Sequence, residues 1–290
     1  MRPLRVLCIL VLATLSVAAA AQERVRFPSL DGKNGEQPTE LDGYLFRPER
    51  GDDPFPMVIF QHGCGGLFST TTHRITSRER DWADRFNSRG IGVLMVDSFT
   101  PRGSTGMCSH SSFKEWIYLR RPADAYGALV YLQKQPFVAR DRIALMGWSN
   151  GGGSVLYAVG RRSLGRPADF GGPDFQAAIA FYPGSCSEKR LGADWSTSIP
   201  LLILVGEADV WTPAEPCRQV AEQAVARGAP VEFHAYPGAY HDFDWPGMKR
   251  HEVPAFTTRD GVVPIEGEDP AARADAIRRV DAFLADHLLH

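Results

Sequence analysis

No His-Glu-x-x-His or Cys-x-x-Cys pattern occurs in these 290 residues, so two common zinc ligand sets are missing and no metal or cofactor is expected. No block of Lys and Arg interleaves with aromatics. The formal net charge is only −2, and both facts argue against a nucleic-acid partner. No internal repeat divides the chain. The amino-terminal apolar run, residues 6–17, is shorter than the roughly 20 residues a membrane span needs. Apolar residues make up 44% of the chain, enough for a large core, which excludes global disorder.

The start of the chain has the pattern of an export signal. Arg2 and Arg5 make a basic opening, residues 6–17 are almost wholly apolar, and Ala18 to Ala21 are small. A signal peptide over residues 1–21, cut near Ala21/Gln22, is expected, with a single α/β domain over 22–290. Losing Arg2 and Arg5 takes the formal charge to −4. The expected destination is the periplasm or the exterior, with no membrane span after signal removal. The oligomeric state is not legible. Of five cysteines, Cys64, Cys108, Cys186 and Cys217 remain after cleavage. Export favours bridges over four free thiols, and four cysteines allow three pairings.

Short apolar runs and helical stretches alternate along the rest of the chain. Strands are expected near 25–30 and 40–48 and at 57–60, 91–96, 142–146, 177–182, 201–205 and 231–236. Helices are expected around 81–86, after Pro122, after the turn at 147–152, around 218–227 and over 270–289. That alternation predicts a mostly parallel, doubly wound sheet flanked by helices. The Gly- and Pro-rich stretch 161–174 reads as loop or lid, and 252–269 as a second excursion.

The turn Gly147-Trp148-Ser149-Asn150-Gly151-Gly152 lies between an apolar strand and a helix of small residues. Strand, Gly-x-Ser-x-Gly, helix is the setting of a nucleophilic serine. Such a serine needs a base, a carboxylate to orient it and donors for the oxyanion. Strand 201–205 ends in Gly206-Glu207-Ala208-Asp209, and Asp209 is the expected carboxylate, with Glu207 as the alternative. His241, on the loop after strand 231–236, is the expected base. The loop His62-Gly63-Cys64-Gly65-Gly66 follows strand 57–60, so the backbone N–H groups of Cys64 and Asn150 are the expected oxyanion donors. His62 is expected to bond the backbone of that loop. Trp148 and Trp211, together with Phe243 and Trp245, are candidates for an aromatic pocket. Arg102 could bind a substrate carboxylate, against a competing reading as a structural salt bridge.

From about residue 42 to 289 the chain resembles the dienelactone hydrolase family of α/β-hydrolases. The resemblance rests on His62-Gly63-Cys64-Gly65-Gly66, on Asp97-Ser98-Phe99-x-Pro101-Arg102-Gly103, on the Ser149 turn, on Gly206-x-x-Asp209 and on His241. It implies the α/β-hydrolase fold and cofactor-free hydrolysis of a small carboxylic ester or lactone. Ser149 stands where the name-giving enzymes carry cysteine, and Asp242 follows the base where many relatives carry a small residue. The run from Gly147 to Gly153 is also similar to the corresponding turn of some secreted polyester-degrading cutinases. A polyester hydrolase, a peptidase on this fold, or a binding protein without activity are the alternatives. The strand order typical of the fold implies the bridges Cys64–Cys108 and Cys186–Cys217.

Overall fold

Eight strands pair side by side in a computed structural model that describes residues 22–32, 35–48 and 53–289. The expected signal peptide, 1–21, lies outside the described residues. In chain order the sheet strands are β1 (Gln22–Pro28), β2 (Glu40–Phe46), β3 (Phe55–Gln61), β4 (Gly92–Asp97), β5 (Val138–Trp148), β6 (Ala177–Phe181), β7 (Leu201–Gly206) and β8 (Val231–Tyr236). Their spatial order is β1-β2-β4-β3-β5-β6-β7-β8. β1 and β2 join in antiparallel fashion, and β4 through β8 are parallel. This is the mostly parallel sheet that the alternation of strands and helices predicts, and the α/β-hydrolase fold that the family resemblance implies.

Burial on both faces explains why the central strands read as unbroken apolar runs. Successive side chains point to opposite faces, so Met57 and Ile59 join one apolar layer while Val58 and Phe60 join the other. Helices α3 (Arg121–Gln133), α4 (Asn150–Val159) and α6 (Ala214–Ala226) cover the first layer. Helices α1 (Ser77–Asn87) and α7 (Pro270–Leu288) cover the second. Asp269 caps α7 by accepting hydrogen bonds from the amides of Ala271 and Ala272, with Pro270 in the first turn. Two short helices, α2 (Glu115–Tyr118) and α5 (Glu188–Leu191), lie in connections that carry no helical pattern in the sequence.

Adjacent strands bring the cysteines together. β3 precedes Cys64 and lies beside β4, which precedes Cys108; β6 precedes Cys186 and lies beside β7, which precedes Cys217. Both expected bridges, Cys64–Cys108 and Cys186–Cys217, are present. The stretch 161–174 packs on the start of α3, where a Cβ on Gly165 would strike Pro122 and Ala123. None of its residues lines the cavity described below, so it is loop and not lid. The excursion after β8 folds into a small hairpin of β9 (His251–Glu252) and β10 (Ile265–Glu266), which returns to the sheet edge by pairing Glu266 with His241. No helix among the described residues is long and apolar enough to cross a membrane.

Candidate active site

The carboxyl ends of β3, β5, β7 and β8 meet at one edge of the sheet, where open α/β sheets place their ligands. β5 ends at Trp148 and α4 begins at Asn150, which leaves Ser149 as the single residue of the turn. It takes φ 52° and ψ −114°, a strained conformation for a residue with a side chain. Three backbone bonds hold it there: its N–H donates to Phe181, and its carbonyl accepts from Gly153 and Gly184. Glycine is required on both sides by close approach. A Cβ on Gly147 would lie 2.5 Å from the Gly151 oxygen, and one on Gly151 would lie 2.0 Å from the Gln61 oxygen.

Across the edge, the loop after β7 presents Asp209. Its Oδ1 accepts from the backbone N–H groups of Trp211 and Thr212, and its Oδ2 from the Thr212 hydroxyl. The same Oδ2 lies 2.6 Å from Nδ1 of His241, which places the proton on Nδ1 and leaves Nε2 unprotonated in the neutral ring. Burial works to raise the Asp209 carboxyl, but His241 and the Thr212 donors outweigh it and hold the group below its ordinary value. Burial also works against a charged His241. The Asp209 carboxylate, helped by Asp242 and Glu266, outweighs that and pushes the imidazole up to about 9. Glu207, the alternative carboxylate, instead pairs with Arg218 at 3.2 Å near the surface.

Ser149 and His241 line one cavity of about 590 Å³, together with Gly63, Cys64 and the Cys108 half of the bridge. The loop expected to hold the oxyanion is fixed from several directions. Cys64 is bridged to Cys108, and its carbonyl accepts from Met107. His62 Nδ1 donates to the Gly63 carbonyl, while its Nε2 accepts from Ser98, so this histidine ties backbone as expected. Sequence reasoning missed Arg121. Its buried guanidinium donates to the His62 carbonyl at 2.7 Å and to the side-chain oxygen of Asn150. One arginine thereby joins the two segments that carry Cys64 and Asn150. Burial lowers its pKa to about 10, and it stays cationic at neutral pH.

Two expected pocket residues lie elsewhere. Trp148 is fully buried; its indole N–H bonds Asp244, and its ring packs on Phe60 and Phe181. As the last residue of β5 it shares a face with Ala144 and Met146, in the apolar layer that α1 and α7 cover. Arg102 keeps its guanidinium in a salt-bridge cluster with Asp31 and Asp124 and bonds the Ser98 carbonyl. Neither lines the cavity, and Arg102 follows its structural alternative. Phe243 is also core. Trp211 and Trp245 do line the cavity, joined by Phe256, Met248 and Glu266 from the excursion.

Beneath His241 lies a second network that only the structure reveals. Arg78 donates to Asp242 at 2.6 Å, to Glu79 at 2.8 Å and to the Tyr182 hydroxyl at 3.1 Å. The Tyr182 hydroxyl in turn donates to Asp244, which also accepts from Trp82. The acidic residue after His241 is thus paired with a buried cation. Among the described residues no group of three or more His, Cys, Asp or Glu could hold a metal ion.

Residues 41–288 match the sequence profile of the dienelactone hydrolase family. The candidate hydrolase YtaP of Bacillus subtilis is 28% identical over 130 residues, which span 41% of this chain and 43% of that protein, less than half its length. A crystal structure of a candidate dienelactone hydrolase from Klebsiella pneumoniae superposes with TM-score 0.64 at 18% identity, covering 92% of this chain and all of that one. Thermogutta terrifontis esterase 2, phosphonylated by cyclosarin, superposes with TM-score 0.63 at 21% identity over 92% of this chain and 94% of its own. At these identities the superpositions speak for the fold.

Proposed function

This chain belongs to the dienelactone hydrolase family, and from that premise we propose that it is an exported serine hydrolase of small carboxylic esters or lactones. The observation that carries the reading is the strained Ser149, which lines the same cavity as the Asp209-oriented imidazole of His241.

In this reading Ser149 Oγ attacks the ester carbonyl carbon while His241 Nε2 takes its proton. The tetrahedral oxyanion rests on the backbone N–H groups of Cys64 and Asn150. Collapse expels the alcohol, which receives the proton from His241, and leaves Ser149 acylated. Water then adds by the same route, and the acid departs. Asp209 keeps the imidazole in its tautomer and stabilises the charged ring. The two donors are backbone groups on segments pinned by a disulfide, by tight glycine contacts and by Arg121. Such preorganised donors need no reorganisation as charge develops. The two bridges agree with an oxidising destination.

Release of p-nitrophenol from acetate through octanoate esters, run beside Ser149→Ala, tests the proposal. Wild-type turnover that falls by orders of magnitude in the mutant is the expected result, and the chain-length optimum sizes the cavity. Equal rates in the two proteins would remove Ser149 from the chemistry.

A further inference from the structure

Glu266 is a carboxylate that the proposed chemistry does not use. It lies on β10, pairs with His241 across the backbone and lines the cavity, yet its side chain is only 13% exposed. Among the described residues its side chain accepts no hydrogen bond, and the nearest basic nitrogen, His251 Nε2, is 3.8 Å away. The other buried cavity charges have answers. Asp209 answers His241, and Arg78 answers Asp242 and Glu79. Arg74, also on the cavity lining, is exposed. Burying a carboxylate without partners is costly, so a residue in this state marks a place where a ligand supplies what is missing.

The surrounding surfaces are aromatic. Trp211 packs against His241 with ring centroids 4.9 Å apart and stacks on Phe256 at 5.3 Å. Both rings line the cavity with Met248 and Trp245. Aromatic faces beside an unanswered carboxylate attract organic cations, most strongly where water is excluded.

Resting on the ester-hydrolase reading, we infer that Glu266, with Trp211 and Phe256, forms a subsite for an organic ammonium group, so that the preferred esters carry a cationic amino-alcohol or amino-acyl part. A carboxylate-bearing substrate would meet Glu266 as a like charge. The groups acting on Glu266 are Asp242, His241, His251 and Arg78. Burial, then Asp242, push its carboxyl up to about 7, so the subsite is fully charged only above neutral pH, where His241 also moves toward its neutral form.

The test compares acetylcholine with its uncharged isostere, 3,3-dimethylbutyl acetate, at pH 8.5. Wild type is expected to favour the cation by about tenfold in kcat/KM. Glu266→Gln should bring that ratio near one, while Glu252→Gln, an exposed carboxylate on the same hairpin, keeps it. The same ratio in wild type and Glu266→Gln overturns the inference. Choline binding to Ser149→Ala, followed by tryptophan fluorescence, needs no turnover. Its affinity should weaken as pH falls through 7, and Glu266→Gln in that background should weaken it about tenfold; no dependence on residue 266 refutes the subsite. Should wild type hydrolyse neither ester, the hydrolase reading fails separately, and the choline titration still decides the subsite.

Discussion

The two ends of this site are held by different physics. At the acid–base end, Asp209, His241, Asp242, Arg78 and Glu266 crowd charge around one imidazole. At the proposed oxyanion end the donors are backbone amides, on segments fixed by a disulfide, tight glycines and one arginine that donates to neutral oxygens. The first end must answer to pH. The second should be indifferent to pH and sensitive to geometry.

The largest effect separates the ends most sharply. Asp209→Asn leaves the shape intact but removes the charge that sets the His241 tautomer, and should cost roughly 10⁴-fold in turnover, as in the serine-protease case. It should also move the acid limb of the rate profile down, toward the ordinary value of histidine. Rate–pH profiles of the two proteins check both points, and an unshifted limb would detach Asp209 from the base.

Arg121→Met acts at the other end. It frees the His62 carbonyl and the Asn150 side chain, and a fall of roughly 100- to 1000-fold in kcat is expected, similar to loss of one oxyanion donor. Here the limb should stay where wild type has it. A shifted limb, or a change confined to KM, would show that the two ends are not independent.

Wild type itself carries a third prediction. With His241 pushed up to about 9, the neutral ring is the minor form at pH 7, and kcat/KM should keep rising between pH 7 and 9. The stability sign is opposite. The raised pKa stabilises the fold fully below the unfolded histidine value, and that contribution fades as pH rises through about 9. A rate already flat from pH 6 upward would contradict the assignment of His241.

The two disulfides give the smallest contrast. Cys64–Cys108 is partly exposed on the cavity wall, whereas Cys186 and Cys217 are 7% and 1% exposed. Replacing either bridge by serine pairs should cost roughly 2–4 kcal/mol of stability. Only loss of the Cys64–Cys108 bridge should also lower kcat, by about tenfold, a modest share of a whole donor. Equal kcat values after both replacements, with melting temperatures recorded beside them, would remove the bridge from the oxyanion end.

The sequence displayed the backbone-determined parts of this molecule well. Alternating strands and helices led to the sheet, and the tight Gly-x-Ser-x-Gly turn led to Ser149. Chain order after that turn led to Asp209 and His241, which the fold brings within 2.6 Å. Parts that depend on distant partners were harder to read. Arg121 sits in Arg120-Arg121-Pro122 with no motif around it, and its partners are 59 and 29 residues away. Arg102 follows a strand at the active edge, but Asp31 and Asp124 reach it from elsewhere in the chain. Trp148 is hard to place for a related reason: both faces of β5 are core, so its spacing by two from Met146 assigns it a layer but does not tell a core residue from a cavity residue. Glu266 lies in a stretch without periodicity, and only the pairing of β10 with His241 brings it to the cavity.

We propose Ser149 as the one activated nucleophile. Paraoxon tests it directly, since attack on phosphorus transfers a diethylphosphoryl group to the serine and releases p-nitrophenol. Intact mass followed by peptide mapping should find one adduct, on the peptide containing Ser149, with stoichiometric p-nitrophenol and no adduct in Ser149→Ala. An unmodified protein, or an adduct that persists in Ser149→Ala, would contradict that role.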